Sequence, residues 1–231
     1  MTIYSDYQID LMLMDGITDL VSGAAFTMAG TATTATLLGA TAPTISATEY
    51  TSCKIATPFT AGQALTIMCV VNTAWAGDDG VYHYLAETRD ASVNIVRIWK
   101  HSANRLDIMT YNAGAAKYKA INTDATNWAA GTHVIIATLT ADNTQGIYLD
   151  GVAGTISSGT ATREAGVGSL LWLGTNYLGA ATEKFTGSIL CAIWGRVLTS
   201  DEIYVLSRLS TWDKLLDPFG ARRRTARIIG G

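Results

Sequence analysis

The sequence predicts an all-β fold of antiparallel strands with one short helix near its C-terminus, and three observations carry that prediction. Thr and Gly supply 32 and 22 of the 231 residues, a mixture that suits pleated strands and tight turns and disfavours helix. Apolar segments of about 7 to 10 residues recur between clusters of turn-forming residues. A helix start signal followed by helical spacing stands out near residue 200. Hydrophobic residues make up 48% of the chain and charged ones 15%, which excludes a disordered polypeptide and allows a sizeable core.

In chain order, residues 29–48 are rich in Ala, Thr and Gly but contain Leu37, Leu38 and Ile45. They read as irregular strands and loops of the same domain, not as a linker. Residues 65–75 form a central strand, with Leu65, Ile67, Cys69, Val71 and Trp75 on one face and Met68 and Val70 on the other. Asp78-Asp79-Gly80 turns the chain. Strands at 81–87, 93–100 and 106–112 follow as a meander, joined by 89–92 and 101–104. A strand at 134–140 leads through a polar loop to a short one at 147–149. Asp150-Gly151, the strongest two-residue hairpin signal in the chain, closes it. Further strands are expected at 169–173 and 188–194. Thr199-Ser200-Asp201-Glu202 then fits a capping box, Leu198 can staple onto Ile203, and Ile203, Leu206 and Leu209 make an apolar stripe. The spacing predicts a helix from Ser200 to about Leu209.

Charge is unevenly placed. The net charge is −3, but Arg222, Arg223, Arg224 and Arg227 lie in the last eleven residues, which leaves −7 on residues 1–220. Such a body repels nucleic acid, so only the tail could bind it. Cys53, Cys69 and Cys191 are odd in number and widely spaced, and read as buried free thiols. Asp6, Asp10, Asp15 and Asp19 precede the first basic residue, the reverse of a secretory leader, and no apolar run approaches about 18 residues. The expectation is a protein made in a reducing cytoplasm and not inserted in a membrane.

Three segments together resemble the concanavalin A-like lectin/glucanase fold, in its laminin G-like branch. Gly131-Thr132-His133-Val134 and the apolar run that follows are similar to a "W-H-H-V-A-x-T" strand, with His133 at the histidine. Ile147-Tyr148-Leu149-Asp150-Gly151 is similar to "L-Y-V-D-G". Phe185-Thr186-Gly187-Ser188-Ile189 and Ala192-Ile193-Trp194-Gly195-Arg196, continuing through Glu202-Ile203, resemble the closing "F-x-G-x-I … I-W-x-R-x-L-S-x-x-E-I". The resemblance spans about residues 10–210 and implies an antiparallel β-sandwich jelly roll. Trp212-Asp213-Lys214-Leu215-Leu216-Asp217-Pro218-Phe219 and the arginines after it resemble the "P-W-x-L-F-x-P … R-R" ending of laminin G-like proteins of tailed bacteriophages, without the proline before Trp.

Glycoside hydrolases of this fold resemble one another in a strand bearing E-x-D-x-E, whose alternation presents a nucleophile and an acid/base about 5 Å apart. The five Glu here (Glu49, Glu87, Glu164, Glu183 and Glu202) have no Asp two residues on, and Glu87 with Asp90 has the wrong spacing and falls near a strand end. No catalytic residue is therefore expected. His83, His101 and His133 lie on separate strands without metal-ligand spacing. Asp78-Asp79 could offer oxygens to Ca²⁺ at a loop rim, but reads first as a turn. Tyr82, Tyr84, Trp99 and Tyr111 could form a concave aromatic face for a host-surface glycan, and a lectin would need them exposed and coplanar.

The expectation is thus a non-enzymatic subunit of a phage particle, such as a decoration, head-fibre or tail-associated protein, located on the virion in multiple copies. Residues 1–211 form the sandwich. Residues 212–231 anchor it to capsid or tail proteins through Trp212, Leu215, Leu216, Phe219, Arg222, Arg223 and Arg224. A solvated terminus or a nucleic-acid contact are the other readings of that tail. The alternative function is a lectin-like carbohydrate-binding module.

Overall fold

The computed structural model describes residues 9–14, 18–19, 33–45, 55–56, 63–89, 94–112, 115–124, 128–141, 144–156, 170–174 and 185–211. The chain runs β1 (Ile9–Met14), β2 (Thr18–Asp19), β3 (Thr33–Leu37), β4 (Ala40–Ile45), β5 (Ile55–Ala56) and β6 (Leu65–Thr73). It continues through β7 (His83–Arg89), β8 (Asn94–His101), β9 (Arg105–Asn112), β10 (Ala115–Asp124) and β11 (Gly131–Leu139). The last elements are β12 (Gln145–Leu149), β13 (Val152–Ala153), β14 (Thr155–Ile156), β15 (Leu170–Leu173), β16 (Gly187–Trp194) and α1 (Ser200–Leu206).

Two antiparallel sheets stack as a jelly-roll sandwich. One, of nine strands, runs β13-β12-β11-β6-β16-β1-β2, with β4 on β16 and β3 on β4. The other, of seven, runs β14-β10-β9-β8-β7-β15-β5. β6 lies between β11 and β16, and Leu65 through Val71 are buried without interruption. That explains its apolar run, since both faces are covered. Thr66 faces outward and is bound on both sides: its hydroxyl donates to Arg196 O and accepts from the Leu198 amide. The segment so anchored leads into α1, which buries Ile203 and Leu206. Cys69 and Cys191 are buried directly opposite one another on β6 and β16.

The hairpin at Asp150-Gly151 forms as expected, with both residues at positive φ (51° and 82°) between the paired Leu149 and Val152. The capping box is also present: the Glu202 amide donates to Thr199 Oγ1 and the Glu202 carboxylate accepts from the Thr199 amide. Arg196 grips the same carboxylate through both terminal nitrogens at 2.9 and 2.8 Å. It is the main reason the Glu202 carboxyl lies below its usual range, against burial. The closing motif is therefore a structural latch.

Some elements differ from expectation. The helix ends at Leu206, where Ser207 caps it, rather than near Leu209. Residues 33–45 are a regular hairpin whose turn, Leu38-Gly39, has φ of 49° and 79°. Leu in that conformation hides the turn from a reading based on residue type. β10 pairs along most of β9 although Ala115-Ala116-Lys117 carries little β preference. Pairing with the preceding strand selects it. Glu87 lies within β7, not at its end. Residues 212–231, and with them Trp212, Leu215, Leu216, Phe219, Arg222, Arg223 and Arg224, lie outside the described residues.

Candidate functional site

The polarity of the seven-stranded sheet is set by one contact between the layers. Gln145 of β12 donates to Thr110 Oγ1 of β9, so Thr110 and its cross-strand partner Val96 face the interior. Alternation carries Ile98 and Lys100 of β8, and Ile108 and Leu106 of β9, to the same side. All are buried. Arg97, Trp99 and His101 of β8 and Arg105, Asp107 and Met109 of β9 therefore line the outer face.

A β-bulge in β7 completes it. Tyr84 pairs with Trp99 and Ala86 with Ile98, so Leu85 is the extra residue and Glu87 comes opposite Arg97. Without the bulge, Tyr84 and Glu87 would fall on opposite faces; with it, both point outward. Arg97 ties them together. Its Nε donates to Glu87 Oε2 at 2.5 Å and its Nη1 to the Tyr84 hydroxyl at 3.1 Å. Its guanidinium carbon sits 4.6 Å from the Tyr84 ring centroid and 5.2 Å from that of Trp99. Arg105 Nε reaches both Asp107 oxygens at 2.9 Å. Burial pushes the Asp107 carboxyl up, against the opposing pull of Arg105 and Trp99.

At the end of this face, Tyr82, Trp99 and His101 form a half-buried aromatic cluster. The Ala103 amide donates to His101 Nδ1, so the neutral ring carries its hydrogen on Nε2, 3.2 Å from the Tyr82 hydroxyl. Burial first, then the charges of Arg105 and Lys100, hold His101 below the usual histidine range. The Tyr82 hydroxyl accepts from His101 and keeps its own hydrogen to donate outward.

The loop that delivers Tyr82 is pinned from inside. Asp79 accepts from the buried Lys100 ammonium, from the Val81 amide at 3.0 Å, and meets His83 Nε2 at 2.6 Å. Lys100 also donates to Val81 O at 3.1 Å. His83 lies flat on Trp75, with centroids 3.8 Å apart and planes 2° from parallel. Asp78-Asp79-Gly80 is the expected turn, with Gly80 at φ 72°, and the oxygens considered for Ca²⁺ on Asp79 are engaged by Lys100, His83 and Val81. Among the described residues no three His, Cys, Asp or Glu side chains cluster as metal ligands would.

Of the four aromatic residues singled out from sequence, the fold brings Tyr82, Tyr84 and Trp99 together on one face. They are not coplanar: Tyr82 is inclined 39° and Tyr84 62° to Trp99. Tyr84 is only 3% exposed, because Arg97 and Trp99 pack over it, and it supports the face rather than presenting it. Tyr111 occupies the β9 position two beyond Met109 and pairs with Ile95; its side chain is outside the described set. Arg97, Arg105 and Asp107 are not singled out by the sequence, which offers His101 only as a metal ligand. Their one signal is the alternation of polar residues along β8 and β9.

The chain's own motifs and architecture meet in the comparison with known families. The family model described as the concanavalin A-like lectin/glucanases superfamily matches residues 46–204. The chain belongs to the concanavalin A-like lectin/glucanase superfamily. No curated protein sequence matches it. Among solved structures it is similar to domain 4 of AbnA, an extracellular arabinanase from Geobacillus stearothermophilus, in complex with arabinotriose. The identity is 11%, the TM-score 0.65, and 87% of this chain and 98% of that one are covered. A botulinum neurotoxin type C structure, from work on cell entry through two ganglioside molecules, is 10% identical with a TM-score of 0.67, covering 91% and 53%. The binding domain of Paraclostridial Mosquitocidal Protein 1 is 14% identical with a TM-score of 0.63, covering 86% and 51%. The chain thus spans about half of each of these two toxin chains. At such identities the likeness is one of fold.

Proposed function

We propose that the chain is a non-enzymatic, lectin-like glycan-binding module whose ligand lies on the outer face of the seven-stranded sheet, over Tyr82, Trp99 and His101. The observation that carries this reading is the half-exposed aromatic cluster, held rigid by hydrogen bonds and by the Arg97 stack. A sugar presents C–H faces that pack on aromatic rings and hydroxyls that need directed partners, and this face offers both. The comparison proteins, described as complexed with arabinotriose or dependent on gangliosides, support it. Absence of catalysis is supported by the carboxylates on this face. Glu87 and Asp107 are 0% and 2% exposed, each is tied to an arginine, and they sit on β7 and β9 with β8 between them.

Binding to a glycan microarray, followed by calorimetry with the best ligand, tests the reading. Trp99→Ala and Tyr82→Ala should each weaken binding by about tenfold, the loss of roughly 1.4 kcal/mol of stacking and hydrogen bonding. Circular dichroism should show the strands retained. A chain that binds no glycan, or Trp99→Ala protein that binds as well as wild type, refutes the assignment.

A second proposal concerns where the module works. The run from Trp212 to Arg224 follows the closing helix in sequence and supports anchoring to capsid or tail proteins of a bacteriophage particle, in several copies. The four apolar groups Trp212, Leu215, Leu216 and Phe219 favour burial, and the arginines suit an acidic partner surface. Deleting 212–231 should leave a soluble sandwich that no longer joins the particle. Normal incorporation of the truncated protein would end this reading.

A further inference from the structure

We infer that Arg105 is a direct ligand contact on this face, and that its terminal nitrogens take two adjacent oxygen acceptors of a glycosyl unit while Tyr82 donates to a third. The inference rests on the glycan-binding reading above and deepens it. Three residues stand abreast across the sheet beside Trp99. His101 of β8 pairs with Arg105 of β9. On its other side Tyr82, which precedes the paired His83 and Lys100, meets the His101 ring at 4.6 Å between centroids. Neighbouring strands lie about 4.8 Å apart, which places the backbones of Tyr82 and Arg105 about 10 Å from each other. A ligand lying over His101 and Trp99 therefore has Tyr82 at one edge and Arg105 at the other.

Arg105 differs from the other cations of these strands in what it has left to give. Lys100 is fully buried and faces the interior. Arg97 is 12% exposed, spends Nε on Glu87 and Nη1 on the Tyr84 hydroxyl, and stacks against two rings. Arg105 is 29% exposed and spends only Nε, which reaches both Asp107 oxygens. A guanidinium carries five N–H groups in one plane, so four remain on Nη1 and Nη2. Among the described residues none of these four meets an acceptor. The buried Asp107 carboxylate fixes the plane by its hold on Nε and leaves the fork open. Two parallel N–H groups match two oxygens side by side, such as a vicinal diol or a carboxylate. The match is one of hydrogen-bond geometry and requires no charge on the ligand. His101 has no such capacity left, since Nδ1 accepts from the Ala103 amide and Nε2 donates to Tyr82. It supplies ring surface, and the Tyr82 hydroxyl keeps its hydrogen for the ligand. The side chains flanking the rings thus act as donors, and the ligand is read through its oxygen acceptors.

The test is a cycle between protein and ligand, measured by calorimetry on the full chain. Its probes are the tightest-binding glycan of the array, its singly deoxygenated analogues and, for a glycan bearing a carboxylate, the analogue reduced to the alcohol. On wild-type protein, loss of either of two adjacent oxygens should weaken binding by about tenfold, and Arg105→Gln should weaken binding of the parent glycan as much. On Arg105→Gln protein the same two analogues should bind as well as the parent, because their partner is gone. A carboxylate as the source of the pair would show as a loss on reduction, and a diol as a loss on deoxygenation. Arg105→Lys keeps an ammonium beside Asp107 but lacks the planar fork; it should also lose about tenfold, and it carries the cycle if Arg105→Gln does not fold. Variants that bind the parent glycan like wild type, or that lose the same factor toward every analogue, overturn the contact. In either case dependence on Trp99 and Tyr82 would leave the glycan-binding reading standing. A chain that binds no glycan ends both.

Discussion

Lys100 is the most informative residue to perturb, because a single ammonium joins the interior of the sandwich to the loop that presents Tyr82. Its side chain is fully buried, while that of Asp79 keeps 22% of its surface in water. Lys100→Met preserves most of the apolar stem but strands the Asp79 carboxylate and the Val81 carbonyl. Removing one partner of a wholly buried ion pair costs about 3–5 kcal/mol. Since Asp79 can be partly rehydrated, the expected loss is about 2–3 kcal/mol. For a domain of this size each kcal/mol moves the melting temperature by roughly 2–4 °C, so the variant should melt about 5–10 °C lower by calorimetry at pH 7. Adding Asp79→Asn to Lys100→Met should restore part of the loss, since the stranded charge is gone. Acid supplies an independent check. Burial raises the Asp79 carboxyl, but the bonds to Lys100 and His83 outweigh it and hold the group below 3.8. A depressed carboxylate stabilises fully above its unfolded value and loses that contribution as pH falls through its folded one. The gap between wild type and Lys100→Met should therefore be widest near neutrality and close in strong acid. A variant within about 0.5 kcal/mol of wild type, or a double variant weaker than the single, would show that the pair does not anchor the loop.

Other perturbations probe separate parts of the fold. Thr199→Ala removes the cap of α1 and should cost about 0.5–2 kcal/mol in urea unfolding; an unchanged midpoint would mean that Arg196 and Glu202 hold the helix start alone. His133 faces two acceptors, Asp150 Oδ2 and Ala129 O, each at 2.7 Å. Burial lowers its pKa, but these bonds prevail and raise it above 6.5. Its stabilisation is complete below that value and fades as pH rises through the folded one. Asp150→Asn suits the positive φ there and should lower the His133 titration seen by NMR, flattening stability between about pH 6 and 8. Unaltered His133 titration would remove Asp150 as the cause. Gly187→Ala should yield no folded protein, because φ is 142° and a Cβ would overlap the Asn72 backbone oxygen between β16 and β6. Gly39→Ala, at φ 79° with open space around it, should fold with a loss of about 1–2 kcal/mol. Comparable yields of the two variants would contradict the close approach at Gly187.

The sequence by itself determined the β-class, most strand positions, the Asp150-Gly151 hairpin and the capped helix, because each rests on a local rule. Alternation, turn chemistry and capping are written in neighbouring residues, and the closing run Trp194–Glu202 could be matched as a motif for the same reason. It also drew attention to Tyr82, Tyr84 and Trp99. Their assembly into one face was decided by tertiary structure. The pairing of β7 with β8 brings residues 84 and 99 side by side, and a bulge at Leu85, invisible in residue types, turns Glu87 outward to meet Arg97. The burial of Tyr84 and the pairing of Arg97 with Glu87 depend equally on partners drawn from different strands. Lys100 reads as an ordinary surface lysine until its strand's alternation turns it inward toward Asp79, 21 residues earlier. Local sequence encodes which backbone each segment prefers. Which charges cancel, and which rings remain open to a ligand, is settled only when distant segments share a face, because electrostatic and packing energies depend on separation in space rather than along the chain.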